Sequence, residues 1–144
     1  MIVQACINGA RDAAFHSALP LTPDAMARYS AACVAAGAAE VHSRARRADG
    51  RESLAPAVID ATVRAVREAC PGTLIGVSTG AWIERDERRT REAIDGWREL
   101  PDYASVNLSE TDAPAVIERL RRRGVGVEAR ITRGIRWKRK MRRK

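Results

Sequence analysis

The sequence lacks most of the features that assign a protein quickly. No run of about 18 apolar residues occurs in its 144 positions, so no membrane-spanning helix is expected. Met1 leads straight into strand-like Ile2-Val3, without a basic n-region or an apolar h-region, so no secretory signal is expected either. Cysteine is sparse and odd in number. Cys6, Cys33 and Cys70 stand far apart with no CxxC, which argues against a disulfide framework or a cysteine zinc site and for reduced thiols in a cytoplasmic protein. Gly72, Gly76 and Gly80 form neither a GxGxxG fingerprint nor a Walker loop, which disfavours dinucleotide and P-loop nucleotide binding. No GxSxG elbow supports a nucleophilic serine. The length suits one domain with a real core but falls short of the roughly 250 residues of a complete (β/α)8 barrel.

Charge is present in quantity but unevenly placed. The formal net charge is +8, yet residues 130–144 hold nine of the 26 basic side chains and no acid. The first 129 residues therefore carry 17 bases against 18 acids. The body is a near-neutral domain, and the cationic character belongs to the tail. That tail could touch nucleic acid non-specifically through phosphate, although runs of like charge are usually solvated and disordered.

Along the body the pattern alternates strand and helix. Strands are expected at residues 2–7, 39–43, 73–78, 103–108 and 125–129. Helices are expected at residues 25–36, 56–70, 85–100 and 113–123. Thr22 followed by Pro23 and Asp24 reads as an N-cap with proline in the first turn, and Gly37 as the stop. In the second helix Val58, Ile59, Thr62, Val63 and Val66 fall on one apolar stripe. Five strands alternating with four helices imply parallel pairing through right-handed crossovers, which suits an open doubly wound sheet or a (β/α)8 barrel.

Polar residues gather where strands end. Asn8-Gly9 follows the first strand, His42-Ser43-Arg44 the second and Ser78-Thr79-Gly80 the third, while Asn107 with Ser109-Glu110 follows the fourth. Glu128 interrupts a Val/Gly/Ala strand. Both parallel layouts build their sites at this C-terminal edge, so a convergent polar site is expected there. The plainer alternatives are a satisfied core histidine at His42 and polar loops elsewhere. His16 reads as an exposed loop residue, and Trp82 and Trp97 as packing or a subunit contact. Cys33 and Cys70 read as small core residues, and Arg121-Arg122-Arg123 as cations favoured at a helix C-terminus.

Several segments together resemble a known family. They are ACINGAR at residues 5–11, ALPLTP at 18–23, AGAAEVH at 36–42, DGRES at 49–53, GVSTG at 76–80, SVNL at 105–108 and GVGVE at 124–128. In order and spacing they resemble the β-keto acid cleavage enzymes, typified by 3-keto-5-aminohexanoate cleavage enzyme. The resemblance implies a (β/α)8 barrel, usually oligomeric, with zinc or another divalent metal at the C-terminal face. It implies a reaction in which a β-keto acid and acetyl-CoA give acetoacetate and a new CoA ester. His42 matches the first metal-ligating histidine of an H-x-H at the end of the second strand. The second histidine position is occupied by Arg44, whose guanidinium has no lone pair for a metal. By the same resemblance Ser78 and Thr79 fall at substrate-contacting positions, and Asn107 and Glu128 at polar positions lining the same cavity. The family's third ligand and its later catalytic arginine and acid would lie beyond residue 129.

The resemblance thus implies a partial barrel of five strands and four helices at residues 1–129, followed by a basic tail at 130–144, disordered or aberrant. The switch from matched sequence to an acid-free string is read as a truncated or out-of-frame segment. Five strands alone leave two parallel edges unpaired, so a poorly stable, oligomeric or aggregating chain is expected. Two functions follow: a metal-dependent β-keto acid cleavage enzyme, inactive in this form if the missing parts are not supplied, or a non-catalytic α/β remnant or binding module with a cationic tail.

Overall fold

A computed structural model describes residues 1–131. Strands β1 (Gln4–Cys6), β2 (Glu40–Ser43), β3 (Leu74–Ser78), β4 (Tyr103–Asn107) and β5 (Gly126–Arg130) alternate with helices α1 (Pro23–Ala35), α2 (Pro56–Ala69), α3 (Glu87–Gly96) and α4 (Ala113–Arg122). All neighbouring strands are parallel, and their order in the sheet is their order in the chain. With right-handed crossovers, an order that never reverses lays every helix on the same side of the sheet. Successive helices accordingly pack against one another. A doubly wound sheet needs a switch point and helices on both faces; the arrangement here is the winding of a barrel.

Alternation then sorts the strand residues. Val41, Ile75, Val77, Ala104 and Val106 are buried. Ile75 packs with Met26, Val66 and Cys70, while Val77, Ala104 and Val106 join Ile59, Val63, Ile94, Trp97, Val116 and Leu120. The apolar stripe expected on α2 is therefore its core face, with Ile59, Thr62, Val63 and Val66 buried and Val58 packed at the margin. Side chains of the opposite parity point away from the helices. They include Gln4, Cys6, Glu40, His42, Ser78, Tyr103, Ser105, Asn107, Glu128 and Arg130, so that face is almost wholly polar.

The polar face is also the inside of a curve. In a flat sheet, strands four spacings apart lie about 19 Å from each other, beyond the reach of two side chains. Yet Gln4 Nε2 on β1 lies 3.3 Å from Glu128 Oε2 on β5. The sheet must curl around its polar face for these edge strands to meet through their side chains.

Local signals account for most element ends, and tertiary contacts for the rest. Thr22 Oγ1 accepts the Ala25 N–H and Pro23 opens α1 as expected. Gly37, at φ 103°, lets the chain leave the helix. The third helix is shorter than the expected residues 85–100. Asp86 caps it by accepting the Arg89 N–H at 2.7 Å. At its far end Asp60 Oδ1 on α2 accepts the N–H groups of Arg98 and Glu99, which fixes them outside the helix. The first strand is also shorter than residues 2–7, although the Val3 carbonyl accepts the Ala39 N–H and the Ile7 N–H donates to the His42 carbonyl at its two ends. Arg123, expected to need no partner, donates to the carbonyls of Asp95 and Trp97 and ties α4 to the end of α3. No helix among the described residues is long and apolar enough to cross a membrane. β5 runs through Arg130, paired with Asn107; the expectation of a disordered or nucleic-acid-contacting tail falls almost entirely outside the described residues.

Candidate functional site

The register places the expected polar residues in adjacent rows. Cys6, His42, Gly76 and Tyr103 share one row across β1 to β4, and Ser78, Ser105 and Glu128 share the next across β3 to β5. His42 and Ser78 are buried, at 6% and 4% exposure. His42 Nε2 stands 3.2 Å from Ser105 Oγ, the tautomer deciding which group donates. Ser78 Oγ is buried with no hydrogen-bond partner. A buried hydroxyl left unpaired is costly, and its parity turns it to the same face as Ser105 and His42. His42, Ser78 and Glu128 are therefore brought together on one surface.

Electrostatics within this surface are mixed. Burial pushes the His42 imidazole below its ordinary value; Glu128 opposes the shift, and Arg130 and Arg44 reinforce it. Burial also pushes the Tyr103 phenol well above its ordinary value, helped by Glu40 and Glu128 and opposed by the hydrogen bond from Gln4. Tyr103 lies over Gly76, where an added Cβ would stand 2.2 Å from the ring. Gln4 Nε2 lies within 3.3 Å of Glu40 Oε1, Tyr103 Oη and Glu128 Oε2. The floor of the face is thus a network of two carboxylates, an amide and a phenol, with His42 and the serines above it.

The sequence model of the beta-keto acid cleavage enzyme family matches residues 1–132. The chain belongs to this family. Among solved structures it is similar to apo ObcA, with a TM-score of 0.60 and 23% identity over 78% of this chain and 30% of that one. The complex of ObcA with oxaloacetate gives 0.59 and 22%, over 78% and 31%. The ternary complex with a C4-CoA adduct and oxalate gives 0.57 and 22%, over the same shares. At this identity the likeness is one of fold, and the chain spans about 30% of the length of ObcA.

A metal at His42, implied by the family, is tested by the donor set. No group of three or more His, Cys, Asp or Glu side chains among the described residues is placed to hold a metal ion. Ser105 occupies Nε2 of His42. Arg44, at the position that the resemblance assigns to a second ligand, is held by two neighbours: its Nη1 donates to both Glu52 oxygens at 3.2 Å, and its Cζ lies 5.0 Å from the centre of the Trp82 ring. The described residues do not make a divalent-ion site.

Thr79 and Asn107 sit differently from His42 and Ser78. The Thr79 hydroxyl donates to the Ser105 carbonyl at 2.9 Å, which joins the ends of β3 and β4. Asn107 Nδ2 donates to Glu110 Oε1 at 2.7 Å, and the same oxygen accepts the Ala81 N–H. Both side chains organise the loops above the face. A separate cavity of about 390 Å³ opens between the loops after β3 and β4, lined by Thr79, Arg85, Thr90, Glu110 and Asp112 among others. His16 is exposed, its Nδ1 accepting the Ala18 N–H. Trp97 is buried and its Nε1 donates to the Leu54 carbonyl. Trp82 is partly exposed and stacks on Arg44.

Sequence reading missed Gln4, Tyr103 and Ser105 on the inner face, and Glu52 beside it. Alternation carried the signal for two of them: Tyr103, Ser105 and Asn107 share one parity in a strand whose other members are Ala104 and Val106. Nothing in the local sequence marks Glu52 as the partner of Arg44.

Proposed function

We propose that the polar inner face binds a β-keto acid and belongs to a β-keto acid cleavage centre. In that reaction the acyl group of the keto acid leaves its CH2–COO⁻ fragment for the sulfur of CoA. The acetyl group of acetyl-CoA takes its place, giving acetoacetate. The single observation that carries the reading is Ser78 Oγ, a buried hydroxyl without a partner on the face that also presents His42 and Ser105. A keto or carboxylate oxygen would satisfy it. Related complexes support the ligand class, since ObcA binds oxaloacetate, a β-keto acid, and a C4-CoA adduct with oxalate. In this reading Ser78 and Ser105 hold ligand oxygens, and His42 and Glu128 supply the titratable groups nearest them. Thr79 and Asn107 shape the entrance.

The test is to incubate the chain with acetyl-CoA and a β-keto acid and to measure acetoacetate and the new CoA ester. Formation of both, lost in Ser78→Ala, supports the assignment; binding of neither substrate by the folded protein refutes it. A second reading, a binding module without turnover, is favoured by Arg44 at the second metal-ligand position, and the same assay separates it as binding without acetoacetate. Self-association belongs to the proposal too. β1 and β5 each present an unpaired edge among the described residues, and Ile2 and Val3 are exposed just before β1. Light scattering on the eluting peak should give a mass above 15.8 kDa, and a monodisperse monomer would refute it.

A further inference from the structure

The guanidinium that replaces a metal ligand is built into its position from several sides. Asn8 Oδ1 accepts the Arg44 N–H at 2.9 Å, and Asn8 Nδ2 donates to the Arg44 carbonyl at 2.9 Å, so both backbone groups of Arg44 are pinned. Asn8 itself is buried. Glu52 takes Nη1, and Trp82 stacks on the guanidinium while its Nε1 donates to Glu52 at 3.0 Å. Trp82 in turn rests on Gly80, where a Cβ would stand 2.0 Å from the ring. The side chains of Arg44 and Glu52 are each only 12% exposed. A residue that merely filled a vacated ligand position would not need three partners to orient it.

Two features of this clamp go beyond a simple salt bridge. Glu52 also pairs with Arg46 at 3.7 Å, so one carboxylate is shared between two guanidinium groups. Arg44 Nε and Nη2 make no hydrogen bond among the described residues, which leaves donors available in fixed geometry. Arg44 also acts electrostatically on His42, as Arg130 does from β5. The unpartnered Ser78 hydroxyl lies on the inner face of the sheet, the face of His42 and Ser105. A planar carboxylate accepting a fork of N–H donors is the anion such an arrangement suits.

We propose that Arg44, clamped by Glu52 and Trp82, binds the carboxylate of the β-keto acid directly, in the role that a divalent ion at an H-x-H pair would otherwise fill. The inference rests on the β-keto acid reading above and deepens it: the ligand anion is recognised by a guanidinium, without a metal bridge. Arg44 is then a specificity-determining residue for short keto carboxylates, and Trp82 and Glu52 are positioning residues.

The test is calorimetric titration of the full 144-residue chain with acetoacetate, once in EDTA and once with zinc chloride. The expected result is the same affinity in both. Arg44→Met should weaken binding about tenfold or more, since one charge-assisted hydrogen bond is worth roughly 1.5–3 kcal/mol. Arg44→Lys keeps the charge but loses the fork; it should weaken binding by a smaller factor, and it carries the test alone if Arg44→Met does not fold. Binding that appears only with zinc and survives in both variants overturns the inference while leaving the β-keto acid reading intact. If acetoacetate binds under neither condition, the β-keto acid reading falls and the carboxylate anchor falls with it.

Discussion

Replacing Gly76 by alanine probes the packing that holds the polar face in shape. The added Cβ would stand 2.2 Å from Cε2 and Cζ of Tyr103 and 2.7 Å from its hydroxyl oxygen. Gly76 is not among the glycines with a left-handed backbone, so alanine is unstrained there. Taken alone, the substitution should stabilise by about 0.4–1 kcal/mol through reduced freedom of the unfolded chain. The ring opposes this, because it cannot move freely. Its hydroxyl is bonded to Gln4 Nε2 at 3.0 Å. Forcing volume into such a site costs about 1–3 kcal/mol, and the net expectation is a loss of about 1–2 kcal/mol.

In a Tyr103→Ala background the obstacle is gone, and the same glycine substitution should stabilise by about 0.4–1 kcal/mol. The two backgrounds then differ by roughly 2 kcal/mol, within the range seen for residues in direct contact. Urea unfolding followed by far-UV circular dichroism, extrapolated linearly to water, supplies the four free energies. A half-buried tyrosine loses less than the about 3–5 kcal/mol of a fully buried aromatic when cut to alanine, so the double variant should remain measurable. If Gly76→Ala destabilises equally in both backgrounds, Tyr103 is not what covers Gly76, and the packed floor of the site is wrong.

Other parts of the structure give further expectations. Trp97→Phe keeps most of the buried ring but removes the 2.9 Å hydrogen bond to the Leu54 carbonyl, and should cost about 1–3 kcal/mol in the same unfolding assay; a loss near zero would mean that this carbonyl finds another partner. Asp86→Ala removes the cap of α3 and should cost about 1 kcal/mol, most of it restored by Asp86→Ser; equal stability of the alanine and serine variants would refute the cap. His42 is held below the ordinary imidazole value by burial, so below about pH 6.5 the unfolded chain takes up a proton that the folded chain resists. Stability from neutral His42 is therefore complete above that pH and is lost as the pH falls toward the folded value. His42→Gln should flatten the decline of stability between about pH 7 and 5, and an unchanged profile would show that His42 titrates as it does in the unfolded state.

Much of the architecture could be read from local pattern, and the reasons are local. Proline at the first turn of α1, α2 and α4, the Thr22 cap and the apolar stripe of α2 depend on residues within a few positions of one another. So does the alternation that separates Val41, Ile75 and Val77 from His42, Gly76 and Ser78. Where an element's limit depends on a distant partner, local pattern overran it. Asp60 on α2 ends the third helix by holding the N–H groups of Arg98 and Glu99, a contact across 38 and 39 residues that no periodicity encodes.

The candidate site divides along the same line. Sequence alone determined a strand–helix alternation, a family, and His42, Ser78, Thr79, Asn107 and Glu128 as polar residues on or just after the strands. Only the tertiary structure decided that the strands lie in unbroken order with helices on one side, because register and crossover direction are relations between segments. The curl that brings Gln4 to Glu128 across 124 residues is of that kind. So is the fate of Arg44: its sequence position says what it cannot ligate, while Asn8, Glu52 and Trp82, drawn from three loops, decide where its charge points. Local conformational preference acts over a turn or a strand; electrostatic partnership acts over distances in space, and the fold alone sets those.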